Sequence, residues 1–109
     1  MLYRIRRYRA VPQNLEAFHD FFNRHLLPVQ QRHGARLVGR WVTDGGEVLA
    51  VWEYDDETAY TTIQSAVAAD PDSTRAQEIR RTIGTLFTEM HEDFARSTLR
   101  DLPTPPVGT

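Results

Sequence analysis

The first strand predicted from the sequence places arginines where a core strand would place apolar residues. Residues 2–9, LYRIRRYR, alternate with the period of a strand, which puts Arg4, Arg6 and Tyr8 on one face. Two arginines on one face are not ordinary core residues. They could be solvated, or pair with Glu53 or Glu92, or form a polar floor that binds an anionic or phenolic small molecule. The sequence leaves these interpretations open.

The histidines are the next candidates for chemistry. His25 and His33 are eight residues apart in the run HLLPVQQRHG, which is about 12 Å on an ideal helix and too far to share a metal ion. His33 is expected in the last helical turn, where it favours the helix dipole. His25 borders the apolar stripe, where a pocket residue is plausible. The predicted catalytic residues are His25 and Glu53, either of which could move a proton. His91 could ligate haem only as a lone ligand without a supporting motif.

Composition excludes several kinds of chemistry. The chain has no cysteine, and all 13 basic residues are arginine, so thiol nucleophiles, disulfides and Schiff-base lysines are excluded. No Ser-His-Asp order, phosphate loop or metal-ligand cluster is visible, and we expect no cofactor and no metal. The formal charge of -2, with both signs interspersed, argues against nucleic acid. No apolar run approaches the length of a membrane span, and we expect a cytoplasmic protein.

Periodicity predicts a long first helix. From Leu15 the apolar residues fall at helical spacing, and Asn14 is the expected start. Pro28 falls on the outer side, where a lost hydrogen bond is tolerated, and Gly34 is the left-handed residue expected to end the helix.

Two further strands form a predicted hairpin. Residues 35–43 and 47–54 flank the turn DGG. Both faces of the pair carry apolar groups, with Leu37 and Trp41 on one face, so both faces should be covered. Three aromatic residues are predicted to wall a pocket: Trp41, Trp52 and Tyr54.

The rest of the chain predicts two helices and an ambiguous segment. Asp55 or Asp56 should cap a helix, and Ser73 or Thr74 should start the next. Residues 86–95 fit a strand or a helix; as a strand, they would direct either His91 or Glu92 into a pocket, but not both. The tail 101–109 is proline-rich.

The order of elements predicts one α+β domain over residues 1–100. Its βαββαβ arrangement with an extra helix is ferredoxin-like, with helices on one sheet face. The apolar second face predicts a homodimer whose two sheets close against each other.

The ordered set of motifs resembles the NIPSNAP family. LLP, RHGARLVGRW, VWEY and AADP follow one another over residues 1–72, and the closing LRDLPTPP is similar to the family's tail. The resemblance implies a dimeric α+β barrel and favours a strand at 86–95. It supplies no catalytic residue set, because the wider group includes cofactor-independent oxygenases, haem-binding enzymes, isomerases and ligand binders.

Two functions follow as hypotheses. The first is a homodimeric, cofactor-independent enzyme or accessory protein that acts on a small aromatic or polyketide-like metabolite. In it Arg6 orients an anionic group, and His25 or Glu53 moves a proton. The second is a non-catalytic ligand-binding or protein-interaction module.

Overall fold

A four-stranded antiparallel sheet forms the base of the fold. The computed structural model describes residues 1–99, and its sheet has the order β2-β3-β1-β4. The strands are β1 (Leu2–Ala10), β2 (Arg36–Val42), β3 (Glu47–Tyr54) and β4 (Phe87–Ala95). This order confirms the ferredoxin-like α+β fold. The strand at 86–95, favoured by the family resemblance and left open by periodicity, is also confirmed. The predicted tail at 101–109 lies outside the described residues.

The helices pack on one face of this sheet. They are α1 (Leu15–Phe21), α2 (Leu27–Arg32), α3 (Glu57–Ala69) and α4 (Pro71–Ile83). Buried residues of the helices and of the strands meet in two apolar clusters, one around Phe21 and Val48 and one around Phe22 and Trp52. Within residues 1–99, no helix is long and apolar enough to cross a membrane.

The predicted single helix from Leu15 is interrupted by a π-helical turn. This turn spans Phe22–Leu26, and the N–H of Leu27 donates to the carbonyl of Phe22. Pro28 follows at once in the first turn of α2, where its missing N–H costs little. It is exposed, as predicted. Gly34 has φ 100°, which confirms the left-handed ending.

Two aspartates set the starts of the later helices. Asp56 accepts a hydrogen bond from the Ala59 N–H at 2.7 Å, which confirms the predicted cap of α3. The predicted start of α4 at Ser73 or Thr74 is wrong. The helix begins at Pro71, because the Asp70 carboxylate accepts the Asp72 N–H at 2.9 Å and proline suits the first turn.

A β-bulge in β2 determines which side chains face the helices. Leu37 is opposite Trp52, but the pairing shifts by one residue before Gly39, which is opposite Val51. The extra residue of a bulge turns the side chains that follow it to the opposite face of the sheet. Arg40 therefore faces the helices, and the predicted placement of Trp41 on the same face as Leu37 is wrong.

The outer face of the sheet carries an apolar stripe. Ile5 is opposite Val51, and Trp41 is opposite Leu49, all on the side away from the helices. The Trp41 side chain is half-exposed. In the described part of the chain, no helix covers this stripe. The predicted apolar second face is present, while the dimer stays a prediction.

Candidate functional site

A cavity lies between the sheet and the helices within one chain. Its volume is about 390 Å³, and its lining contains no aspartate and no glutamate. The sheet contributes cationic, small and aromatic residues, the helices contribute further aromatic rings, and α3 and α4 contribute amides. The lining includes Arg6, Ala50 and Arg40 on the sheet, with His25, Gln64 and Arg80 on the helices.

Arg6 and Arg40 face each other across a small residue. Arg6 on β1 and Arg40 on β2 are each in register with Ala50 on the intervening strand β3. Because neighbouring strands lie about 4.8 Å apart, the Cα atoms of the two arginines are about 10 Å apart. The Ala50 methyl group leaves open the space between the two longer side chains.

Arg40 is fixed by aromatic rings and by a histidine. Its Cζ lies 4.5 Å from the Phe22 ring centre and 4.8 Å from that of Phe18. Its Nη1 contacts His19 Nδ1 at 2.7 Å. Burial, and then the Arg40 charge, lower the pKa of His19, so the ring is neutral at pH 7 and accepts this hydrogen bond. Burial also lowers the pKa of Arg40, but a guanidinium stays protonated.

The guanidinium groups of Arg6 and Arg40 each keep a buried N–H group without a partner. Within residues 1–99, Arg6 Nε and Arg40 Nη2 are buried and make no hydrogen bond. Arg6 Nη2 donates only to the Met90 sulfur at 3.7 Å, and sulfur is a weak acceptor. A buried polar group in a native structure usually has a partner. The two orphaned donors therefore indicate a place for an acceptor from outside the chain.

Arg4 carries a different role, because its charge is neutralised. Glu92 is in register with Arg6, yet its carboxylate forms its ion pair with Arg4. Burial is the largest single effect and acts to lower the pKa of Arg4, but the hydrogen bond and charge of Glu92, with smaller effects of Tyr60 and Tyr54, together raise it. Glu92 rather than His91 lies on the helix-facing side of β4, as the register with Arg6 requires. One of the ion pairs considered from sequence is therefore present.

Tyr8 and Tyr54 are neutral phenols at neutral pH. Burial raises the pKa of Tyr8, which lines the cavity. The Arg6 Cζ lies 5.4 Å from the centre of the Tyr8 ring. Burial raises the pKa of Tyr54 as well. The Tyr54 hydroxyl accepts a hydrogen bond from Gln64 at 3.3 Å, and Tyr54 does not line the cavity. Tyr8 can donate to a ligand, whereas Tyr54 supports the side chains around it.

His25 lines the same cavity from the π-helical turn. Its ring packs on Phe21 with the ring centres 5.7 Å apart. In the part of the chain that the structure describes, the His25 ring makes no side-chain hydrogen bond. Isolated π-helical turns occur frequently at functional sites. The His25 ring is therefore available within the lining of the cavity.

Three predicted site residues are not in this cavity. Glu53 lies on the outer face, where it accepts from Arg36 at 3.0 Å, because it alternates with the inward-facing Trp52 and Tyr54. The bulge turns Trp41 outward, and Tyr54 lies outside the lining. Glu53 is therefore not placed to move a proton on a molecule in this cavity beside Arg6, as the hypothesis from the sequence requires. The predicted residues in the cavity are Arg4, Arg6, Tyr8, His25 and Trp52.

Arg40 and Arg80 line the cavity but are not predicted from sequence. Gly39, inside a strand pattern, is a signal for a bulge and could have indicated that Arg40 faces inward. Arg80 lies on α4 and gives no local signal. Residues 1–99 contain no group of three or more metal-binding side chains placed to hold an ion.

The fold and the cavity place the chain in a known class of proteins. An antiparallel sheet of this order with helices on one face defines the ferredoxin-like α+β class. The NIPSNAP family model matches residues 3–98, and the chain belongs to the NIPSNAP family. The family resemblance drawn from the sequence motifs is confirmed.

Solved structures show the same fold at low sequence identity. An uncharacterized NIPSNAP domain protein from Burkholderia xenovorans is 24% identical with a TM-score of 0.77, over 93% of this chain and 100% of the other. A NIPSNAP family protein of unknown function from Agrobacterium tumefaciens is 19% identical with a TM-score of 0.74, over 87% and 86%. A putative antibiotic biosynthesis monooxygenase from Nitrosomonas europaea is 8% identical with a TM-score of 0.66, over 91% and 100%. A comparison with curated proteins gives no significant match.

Proposed function

We propose that this protein binds a small anionic molecule with a planar, aromatic body in the cavity between its sheet and its helices. The observation that carries this proposal is the pair of orphaned donors, Arg6 Nε and Arg40 Nη2, in a lining without carboxylates. A carboxylate or phenolate placed over Ala50 would accept from both side chains.

Energetics favour an anion over a neutral ligand. A buried donor without a partner costs about 1–3 kcal/mol, and a hydrogen bond to a charged acceptor recovers about 1.5–3 kcal/mol. The planar guanidinium group matches a carboxylate in bidentate geometry. Glu92 does not neutralise Arg6, because it is engaged by Arg4.

The walls favour an aromatic body. Tyr8, Phe18 and Phe87 form one aromatic cluster. The Tyr8 ring centre lies 5.3 Å from that of Phe18 and 4.8 Å from that of Phe87, and the two phenylalanine ring centres are 5.7 Å apart. Such rings bind planar apolar surfaces in edge or offset contacts. The volume of about 390 Å³ lies within the range of small-molecule sites.

Calorimetric titration with 2-naphthoate and the neutral 2-naphthamide tests the proposal. We expect the acid to bind and the amide to bind much more weakly. Arg6→Gln and Arg40→Gln should each weaken naphthoate binding roughly tenfold to a hundredfold. Arg75→Gln is the matched control, because Arg75 is exposed on α4 and pairs with Asp72. Equal binding of acid and amide, or equal binding by all variants, would reject the proposal.

A second candidate function is catalysis at the same site. His25 lines the cavity, and a proton from a phenolic or enolic ligand could pass to its ring while Arg6 and Arg40 hold the resulting oxyanion. The ligand would be a small aromatic or polyketide-like metabolite.

Absorbance of bound 7-hydroxycoumarin, a phenol that ionises near neutral pH, tests this candidate. We expect the phenolate fraction at pH 7 to rise on binding, and to rise less in His25→Gln. A non-catalytic binding protein would show the same phenolate fraction with and without His25.

We also propose that the protein is a cytoplasmic homodimer joined through the outer face of the sheet. The stripe of Ile5, Val51, Leu49 and Trp41 is apolar, and both signs of charge flank it, as a two-fold interface allows. Light scattering at micromolar concentration should give twice the 12.6 kDa of one chain. Trp41→Arg should halve that mass. A wild-type mass of one chain would reject the dimer.

A further inference from the structure

A surface groove adjoins the cavity and shares part of its lining. This groove has a volume of about 360 Å³ and runs along the end of α4 and the start of β4. Gln77, Arg80, Leu86 and Phe87 line both the groove and the cavity. No carboxylate lines either space. A molecule that extended from Arg6 and Arg40 towards the groove would therefore meet no negative charge in either lining.

Arg80 marks the boundary between the two spaces. Its Cζ lies 4.9 Å from the Phe87 ring centre, and its side chain is half-buried there. Arg81 lines the outer groove. Within residues 1–99, neither arginine forms a salt bridge. A position in the last turn of α4 suits a cation because of the helix dipole. That effect does not require Arg80 to lie over Phe87 at the mouth of the cavity.

A continuous series of contacts joins the inner and outer cations. Arg6 lies over the Tyr8 ring at 5.4 Å, Tyr8 contacts Phe87 at 4.8 Å between ring centres, and Arg80 lies over Phe87. The two guanidinium groups are thus separated by two aromatic rings in contact. An apolar planar body along these rings would present one end to each cation.

We infer that the ligand carries two anionic groups at opposite ends of a rigid apolar body, one held by Arg6 and Arg40 and the other by Arg80. This inference rests on the proposed function, since it takes the inner anion site as given. The shared chemistry is that of an aromatic dicarboxylate, and a carboxylate with a distal phenolate or phosphate would fit the same pattern.

Paired mono- and diacids test the inference through a thermodynamic cycle, in which the ligand loses one carboxylate and the protein loses the Arg80 charge. The probes are benzoate with terephthalate, 2-naphthoate with 2,6-naphthalenedicarboxylate, and 4-biphenylcarboxylate with 4,4′-biphenyldicarboxylate. In the wild-type protein, we expect at least one diacid to bind roughly threefold to tenfold more tightly than its monoacid. Arg80→Gln should remove that difference, because it takes away the cation at the distal end of the ligand. Arg75→Gln, which removes the same charge from the same helix, should retain it.

The outcomes separate this inference from the proposed function. Monoacids that bind in an Arg6-dependent manner, with no diacid preferred or with the preference unchanged in Arg80→Gln, would overturn the inference and leave the inner site intact. A diacid preference lost equally in Arg75→Gln would also overturn it, because long-range attraction would then be the cause. Absence of binding by every probe would reject the proposed function itself. Circular dichroism confirms that each variant is folded.

Discussion

Arg6 and Arg40 lie on the same face of the sheet, each directly opposite Ala50 from a different side. Two long cations therefore border one small residue, and each keeps a buried N–H group without a partner. The like charges of the two guanidinium groups repel each other, and this repulsion opposes folding. The arrangement is explained if the stabilising partner is a bound anion.

Removal of the Arg6 charge should abolish ligand binding and stabilise the unliganded protein. Arg6→Met takes away an unpaired buried guanidinium and keeps an unbranched apolar chain, so we expect the unliganded protein to gain about 1 kcal/mol in free energy of unfolding. Naphthoate binding should be lost in the same variant. Urea denaturation with and without naphthoate measures both effects. As a control, Arg24→Met removes an exposed cation and should change stability by less than about 0.5 kcal/mol. A destabilised Arg6→Met protein would contradict the assignment of Arg6 to ligand binding.

Filling the space over Ala50 should block the site without removing any charge. Ala50→Leu places a branched side chain between the two guanidinium groups, where we expect naphthoate binding to weaken at least tenfold. The stability change should be within about 1–3 kcal/mol, because the added atoms enter an open space with limited strain. Val51→Leu, on the outer face of the same strand, is the control for binding. Unchanged affinity in Ala50→Leu would place the ligand elsewhere.

Asp70 should make the stability of the fold depend on acidic pH. The Arg32 guanidinium at 2.6 Å, and then the His33 ring at 2.7 Å, hold the pKa of Asp70 well below its ordinary 3.8. A carboxylate with a depressed folded pKa stabilises above the unfolded pKa, and this contribution is lost as the pH falls towards the folded value.

Asp70→Asn should therefore lower the melting temperature at pH 7 by a few degrees. The gap to the wild-type protein should close as the pH falls below the ordinary aspartate pKa. Asp20→Asn, in an exposed pair with Arg24, is expected to show a smaller effect at pH 7. Thermal melts from pH 7 to pH 2 measure this, and a gap that stays constant over that range would contradict the prediction.

The proposed dimer should respond to a change that leaves the cavity untouched. A Cβ atom at Gly39 would lie 2.3 Å from the Trp41 ring, so Gly39→Ala must displace the exposed indole. We expect weaker self-association in sedimentation velocity, with unchanged naphthoate binding. Equal association of the variant and the wild-type protein would show that Trp41 does not lie in the dimer interface.

The strands and the faces of β1 could be predicted from the sequence because they depend on local patterns. Alternation placed Arg4, Arg6 and Tyr8 together, and the DGG turn predicted the hairpin. The same alternation directs Glu53 and Trp52 to opposite faces of the sheet. A regular strand therefore does not allow both side chains to line one pocket.

The side-chain directions of Arg40 and Trp41 could not be predicted, because one residue shifts the register of β2. The bulge beside Gly39 turns Arg40 inward and Trp41 outward, and its position depends on strand pairing rather than on composition. The π-helical turn shifts the phase of the first helix in the same way and places His25 in the lining. Arg80 reaches the site through the packing of α4, which no local pattern encodes.

A crystal structure of the protein with 2-naphthoate is the most direct test of the central claim. We predict the carboxylate over Ala50, within hydrogen-bond distance of Arg6 Nε and Arg40 Nη2, with the naphthalene ring packed against the aromatic cluster of Tyr8, Phe18 and Phe87. A naphthoate molecule bound only on the outer face of the sheet, or a cavity without the ligand at saturating concentration, would contradict the account.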